Sequence, residues 1–126
     1  MTTKEKLSYH EFIDNLEQFY GTECYHRLGL YPIVATDGIK YFIEQCDCLW
    51  LFDEICLRLY KDLQRYGMLF VNVEVNKRHT VCITAEIDKD KPIPFKRKVH
   101  DAMELIPVGS YRFYLIDNVI LLPSEY

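Results

Sequence analysis

A change of hydrophobic period at Gly67 constrains this chain more than any other feature. Before Gly67, apolar residues recur every three to four positions; beyond it they alternate. A 3.6-residue period buries one stripe of a helix and a two-residue period buries one face of a strand, so neither pattern serves the other conformation. Helices followed by strands predict an α+β fold, with N-terminal helices packed on one face of an antiparallel sheet of about five strands. The length of 126 residues suits a single α+β domain over 1–126.

Local signals place the elements. Ser8 opens the first helix and Glu11 completes a capping box. Tyr9, Phe12, Ile13, Leu16, Phe19 and Tyr20 follow at helical spacing, and Gly21 is the expected stop. The stretch from Thr22 to Ala35 reads as irregular and Tyr-rich. Thr36 or Asp37 caps a second helix with Ile39, Phe42, Ile43 and Cys46 on one face, and Asp47 ends it. A third helix has Leu49, Phe52, Ile55, Cys56, Leu59, Tyr60 and Leu63 as its stripe, and its apolar start predicts a core position for Trp50. Residues 69–75 and 81–87 form a hairpin across Asn76-Lys77-Arg78-His79. Residues 93–99 form a third strand, which Pro92 and Pro94 assign to an edge. Residues 111–116 and 119–122 pair across Asp117-Asn118. The apolar run 119–122 predicts an interior strand that Pro123 terminates, with Tyr126 folded back and Glu125 accepting a hydrogen bond.

Charge and composition exclude some functions. A net charge of −4 argues against broad, non-specific binding of nucleic acid. No apolar run approaches the roughly 18–20 residues of a membrane helix, and the start lacks a signal-peptide core, so a cytoplasmic location is expected. Five cysteines, an odd number in such a setting, are expected as free thiols.

Four groups of residues carry side chains capable of chemistry. Cys46 and Cys48, with Cys24 and His26, have ligating side chains, but zinc sites place two to four residues between paired cysteines and no second pair exists. Buried thiols are therefore expected, with no metal and no cofactor. No local signature pairs a cysteine with His10, His26, His79 or His100 as a nucleophile. Asp53 and Glu54, adjacent on a helix, point about 100° apart and form no acid/base pair; Asp53 is expected to be partly buried. No catalytic residue is assigned. In Lys96-Arg97-Lys98-Val99-His100, the first, third and fifth residues share one face of a strand, where Arg112 and Tyr114 join them if the register permits. That makes a partner-binding patch, although lysines also guard edge strands, and edge protection is the favoured reading. The helix start at Thr36, Asp37 and Gly38, whose free N–H groups suit an anion, is the alternative site.

Four sequence blocks carry a resemblance: Gly21-Thr22-Glu23 with Tyr25, residues 36–41 (Thr-Asp-Gly-Ile-Lys-Tyr), Trp50-Leu51-Phe52-Asp53, and residues 114–126, which end Leu-Leu-Pro-Ser-Glu-Tyr. Together they resemble a family of small bacterial and mobile-element proteins classed as a domain of unknown function. The resemblance implies no activity, and its members have small residues where Cys46 and Cys48 stand, which weakens a metal site further. By analogy with small acidic proteins of mobile elements, the expected function is a non-enzymatic protein-binding module, an inhibitor of a host defence nuclease (anti-CRISPR-like). The alternative is a small enzyme or nucleotide/anion-binding protein built on Thr36–Gly38. A protein partner is expected and nucleic acid is not favoured.

Overall fold

A computed structural model describes residues 6–28, 32–88, 91–99 and 105–126. In chain order the elements are α1 (Tyr9–Leu16), β1 (His26–Arg27), β2 (Val34–Ala35), α2 (Asp37–Cys46), α3 (Leu49–Tyr66), β3 (Met68–Val75), β4 (Val81–Asp88), β5 (Lys91–Val99), β6 (Gly109–Ile116) and β7 (Val119–Leu121), followed by a 3-10 turn, Pro123–Glu125. Among the described residues the fold is α+β, and the sheet has seven strands rather than about five, in the order β1-β2-β7-β6-β3-β4-β5. It is mixed rather than antiparallel, because β2 and β7 run parallel. The two additional strands are two residues long, too short to show a period, and β2 exists through its pairing with β7.

The helix boundaries follow from capping. Ser8 and Glu11 form the reciprocal capping box at the start of α1. The helix ends at Leu16, five residues before Gly21. The N–H groups of Gln18 and Phe19 bond three residues back, to Asn15 and Leu16, which tightens and closes the last turn. Thr36 caps α2 and Asp47, with φ 49°, ends it in the left-handed conformation. Gly67, φ 79°, closes α3.

All three helices cover one face of the sheet. Phe12 of α1, Phe42 of α2 and Phe52 of α3 meet Tyr111 and Phe113 of β6 in one aromatic cluster, with ring centroids 4.8–5.8 Å apart for the Phe12–Phe42, Phe12–Tyr111, Phe42–Tyr111, Phe42–Phe113 and Phe52–Phe113 pairs. Val71, Val73, Ile83 and Leu115 extend this core along the strands. Trp50 packs on the core from its rim and is only half-buried, because Leu51 and Phe52 turn inward at that level of α3 instead. Asp53 is exposed, a correction to the expected partial burial: it lies one position past the buried stripe. Cys46, Cys48 and Cys56 are buried in the core, Cys82 is half-buried and Cys24 is exposed. Burial pushes the Cys56 thiol up to about 12, with the nearby negative charge of Asp53 adding to the effect. Among the described residues no helix is long and apolar enough to cross a membrane.

Candidate functional site

Among the described residues no element covers the sheet face away from the helices, and register decides what stands on it. Lys96 lies opposite Thr84, Thr84 opposite Asn72, and Asn72 opposite Arg112, which makes one row across four strands. Lys98, Cys82, Glu74 and Ser110 make the next row. Tyr114 and Glu86 flank Phe70 in a third. With strands about 4.8 Å apart, Lys96 and Arg112 stand roughly 14 Å from each other. The register thus brings Lys96, Lys98, Arg112 and Tyr114 onto one face; His100 lies outside the described residues.

Arg112 is held in place. Its Nη1 lies 3.0 Å from Glu86 Oε1 and donates to Asn72 Oδ1 at 3.1 Å. Its guanidinium carbon sits 4.9 Å from the centroid of the Phe70 ring, a cation–π distance. The Phe70 ring meets Tyr114 edge-on at 5.0 Å, and Tyr114 meets Tyr126 at 5.4 Å. Tyr126 does fold back, yet it remains 76% exposed and so leaves a ring available at the surface. Beyond this aromatic row, Lys96, Lys98, Thr80 and Ser110 line a shallow depression of about 400 Å³. Phe70 and Tyr126 complete the surface and were missed as site residues. Phe70 falls on the polar side of the alternation in β3, a signal that marks it only once β3 and β6 are known to be neighbours.

Arg97, between the two lysines, lies on the opposite face of the strand and remains exposed. Arg97 reaches over the helix-covered face to Glu54 Oε2 at 3.5 Å, where Arg58 also bonds at 3.2 Å. Glu54 is thereby tied to β5 and its own helix.

The helix start at Thr36–Gly38 is a structural hub. Glu125 places its carboxylate there: Oε1 accepts from the Thr36 hydroxyl at 2.6 Å and Oε2 from the Gly38 N–H at 3.2 Å. The same Oε1 accepts from Leu122 N–H at 3.0 Å. A carboxylate at this position answers both the free amides and the positive end of the helix dipole. An external anion would have to displace Glu125. Asp37, one residue into the helix, holds the loop before β1. Its Oδ1 lies 2.7 Å from His26 Nε2, its Oδ2 accepts from Glu23 N–H at 3.0 Å, and its own N–H donates to Thr22 Oγ1 at 2.9 Å. Three of the four blocks that carry the family resemblance, around Thr22, Thr36 and Glu125, therefore converge on one helix end. Cys24 and His26 do not join Cys46 and Cys48; the latter two face the core, and no cluster of three or more metal-ligating residues exists among the described residues.

Two of these contacts make predictions. A Cβ on Gly38 would lie 2.5 Å from Leu122 Cδ1 and 2.6 Å from Glu125 Oε1. Inside a helix, Gly→Ala usually stabilises by about 0.5–1 kcal/mol, but here the Cβ displaces the Glu125 carboxylate from its bonds to Thr36, Gly38 and Leu122, and Gly38→Ala should destabilise by about 1–3 kcal/mol. Urea unfolding checks the sign, and an unchanged or higher midpoint would refute the tight fit. The Asp37 carboxyl is held below the usual carboxylate range, first by His26 and next by the Glu23 N–H. A carboxyl depressed on folding contributes stability above its unfolded value of about 4 and loses it as pH falls through the folded value. Asp37→Asn should thus show a shallower loss of stability below pH about 4 than the parent chain. Parallel acid limbs in urea midpoints against pH would contradict the assignment.

These features define a small α+β protein with an open, Arg- and aromatic-bearing sheet face and a carboxylate-locked helix start. The chain belongs to the family of unknown function DUF6876, whose model matches residues 10–126. No curated protein and no solved structure matches it.

Proposed function

We propose that the protein is a non-enzymatic binding module that docks on a protein partner through the open face of its sheet. The observation that carries this reading is the fixed Arg112, set across the Phe70 ring by Glu86 and Asn72. Arg and aromatic residues supply most of the energy at protein interfaces, and a side chain already held in its binding geometry loses little entropy on association. Lys96 and Lys98 extend the surface with charge, which favours a partner bearing acidic residues. The net charge of −4 supports a local, specific contact over a general affinity for nucleic acid. Blocking a host defence nuclease is the form of docking that the mobile-element resemblance suggests.

The test is capture from a lysate of the source organism by the immobilised chain, alongside a Lys96→Glu/Lys98→Glu/Tyr126→Ala variant. All three side chains are exposed, so the variant should melt like the parent. Partners held by the parent should be lost by the variant. Equal capture by both would remove the open face as the docking surface.

A further inference from the structure

The ladder between β6 and β7 stops at Tyr114 and Leu121, yet β6 continues back to Gly109. Among the described residues no strand lies beside 109–113 on that side. In an antiparallel ladder, alternate residues direct both backbone groups to the same side. Ile116 closes the two-residue hairpin with Val119, so the even-numbered residues of β6 face away from β3. Two bonds agree with this: Ser110 O accepts from Tyr9 OH on the far side at 2.8 Å, and Asp117 N–H reaches Gly67 O on the β3 side at 3.4 Å. Arg112 therefore turns its N–H and C=O toward the space between β6 and α1. Extending the register places Pro123 opposite Arg112, and Pro123 has no N–H to offer.

That space is a pocket of about 220 Å³, walled by Ile13 and Leu16 of α1, by Phe113, and by Leu122 and Pro123, with Glu17 at its mouth. Small-molecule sites begin at roughly 300 Å³. A pocket below that size, largely apolar and beside a strand edge that no described strand pairs, suits one side chain and the backbone of the residue next to it.

We propose that this pocket anchors an extended peptide segment of a partner protein. One aliphatic or aromatic side chain fills the pocket, and the residue next to it pairs its own N–H and C=O with those of Arg112, which adds a short antiparallel stretch of strand to β6. The backbone supplies affinity because its donor and acceptor are already oriented, and the pocket supplies selectivity for the apolar residue. Glu17, and Asp14 beside it on the exposed side of α1, favour Lys or Arg next to that residue. The inference does not rest on the open-face reading, and the experiment separates the two.

A phage-displayed library of random octapeptides is panned on the full chain, and an enriched peptide is synthesised. The expected sequences carry one Leu, Ile or Phe flanked by Lys or Arg. The synthetic peptide should shift the Arg112 amide and Ile13 methyl signals in NMR spectra. N-methylation of the residue next to the anchor, the one that pairs with Arg112, should weaken binding about tenfold, the loss of one hydrogen bond. Glu17→Lys, an exposed change, should weaken it about threefold, while Lys96→Glu/Lys98→Glu should leave it unchanged. No enrichment, or binding indifferent to N-methylation, overturns the inference. Signals that move on the open face instead also overturn it, and leave the open-face reading standing. So does self-association of the chain that blocks the peptide, which would make a second copy the occupant.

Discussion

Removal of residues 119–126 should leave a chain with no cooperative unfolding transition. β7 is interior, paired with β6 on one side and β2 on the other, so its loss also strands β2 and β1. Ile120, Leu121 and Leu122 are buried, and side chains of this kind contribute about 1.5–3 kcal/mol each. Their sum is comparable with the 5–15 kcal/mol that holds an average domain together, roughly speaking. The deletion also removes Glu125 from Thr36 and Gly38, and Ser124 from the Leu16 carbonyl at the end of α1. Circular dichroism against temperature checks this, and a sharp transition near that of the full chain would show β7 to be peripheral.

Phe42→Ala should be the most damaging single substitution in the helical layer. Its ring touches Phe12, Phe52, Tyr111 and Phe113, so it joins all three helices to β6. It is fully buried, and the truncation leaves a cavity that rings on every side cannot collapse into without losing their mutual edge-to-face contacts. A cost of about 3–5 kcal/mol is expected, which for a chain of this size lowers the melting temperature by roughly 10–25 °C. Phe42→Leu, which keeps most of the volume, should cost clearly less. Equal losses for the two variants would mean that the cavity is not the source of the effect.

Features written in neighbouring residues were legible in the sequence. The Ser8–Glu11 box, the Thr36 cap, the left-handed Asp47, the β3–β4 hairpin and the Asp117–Asn118 turn all stand where local chemistry places them. Pro92 and Pro94 correctly assign β5 to an edge, because a residue without an N–H is tolerated there. Contacts between distant segments were not legible. β1 and β2 depend on a parallel partner more than eighty residues onward, and nothing in Val34-Ala35 alone distinguishes a strand from a loop. Trp50 was drawn to the core by its apolar neighbours, whereas helical geometry spends the inward positions on Leu51 and Phe52. The sequence marks Glu125 as an acceptor, but its donors, the Thr36 hydroxyl and the Gly38 amide, belong to the segment whose free amides suit an external anion. Three of the four blocks that carry the resemblance meet at this same helix end.

The bond between Thr36 and Glu125 spans 89 positions of sequence, and this separation has a consequence for synthesis. A ribosome adding about 5–20 residues per second takes several seconds to travel from one to the other. Throughout that interval the emerging α2 lacks its carboxylate and β2 lacks the neighbour that defines it. Nascent chains paused in this region should therefore be sensitive to protease and dependent on chaperones, and they should acquire resistance only after Glu125 has cleared the exit tunnel.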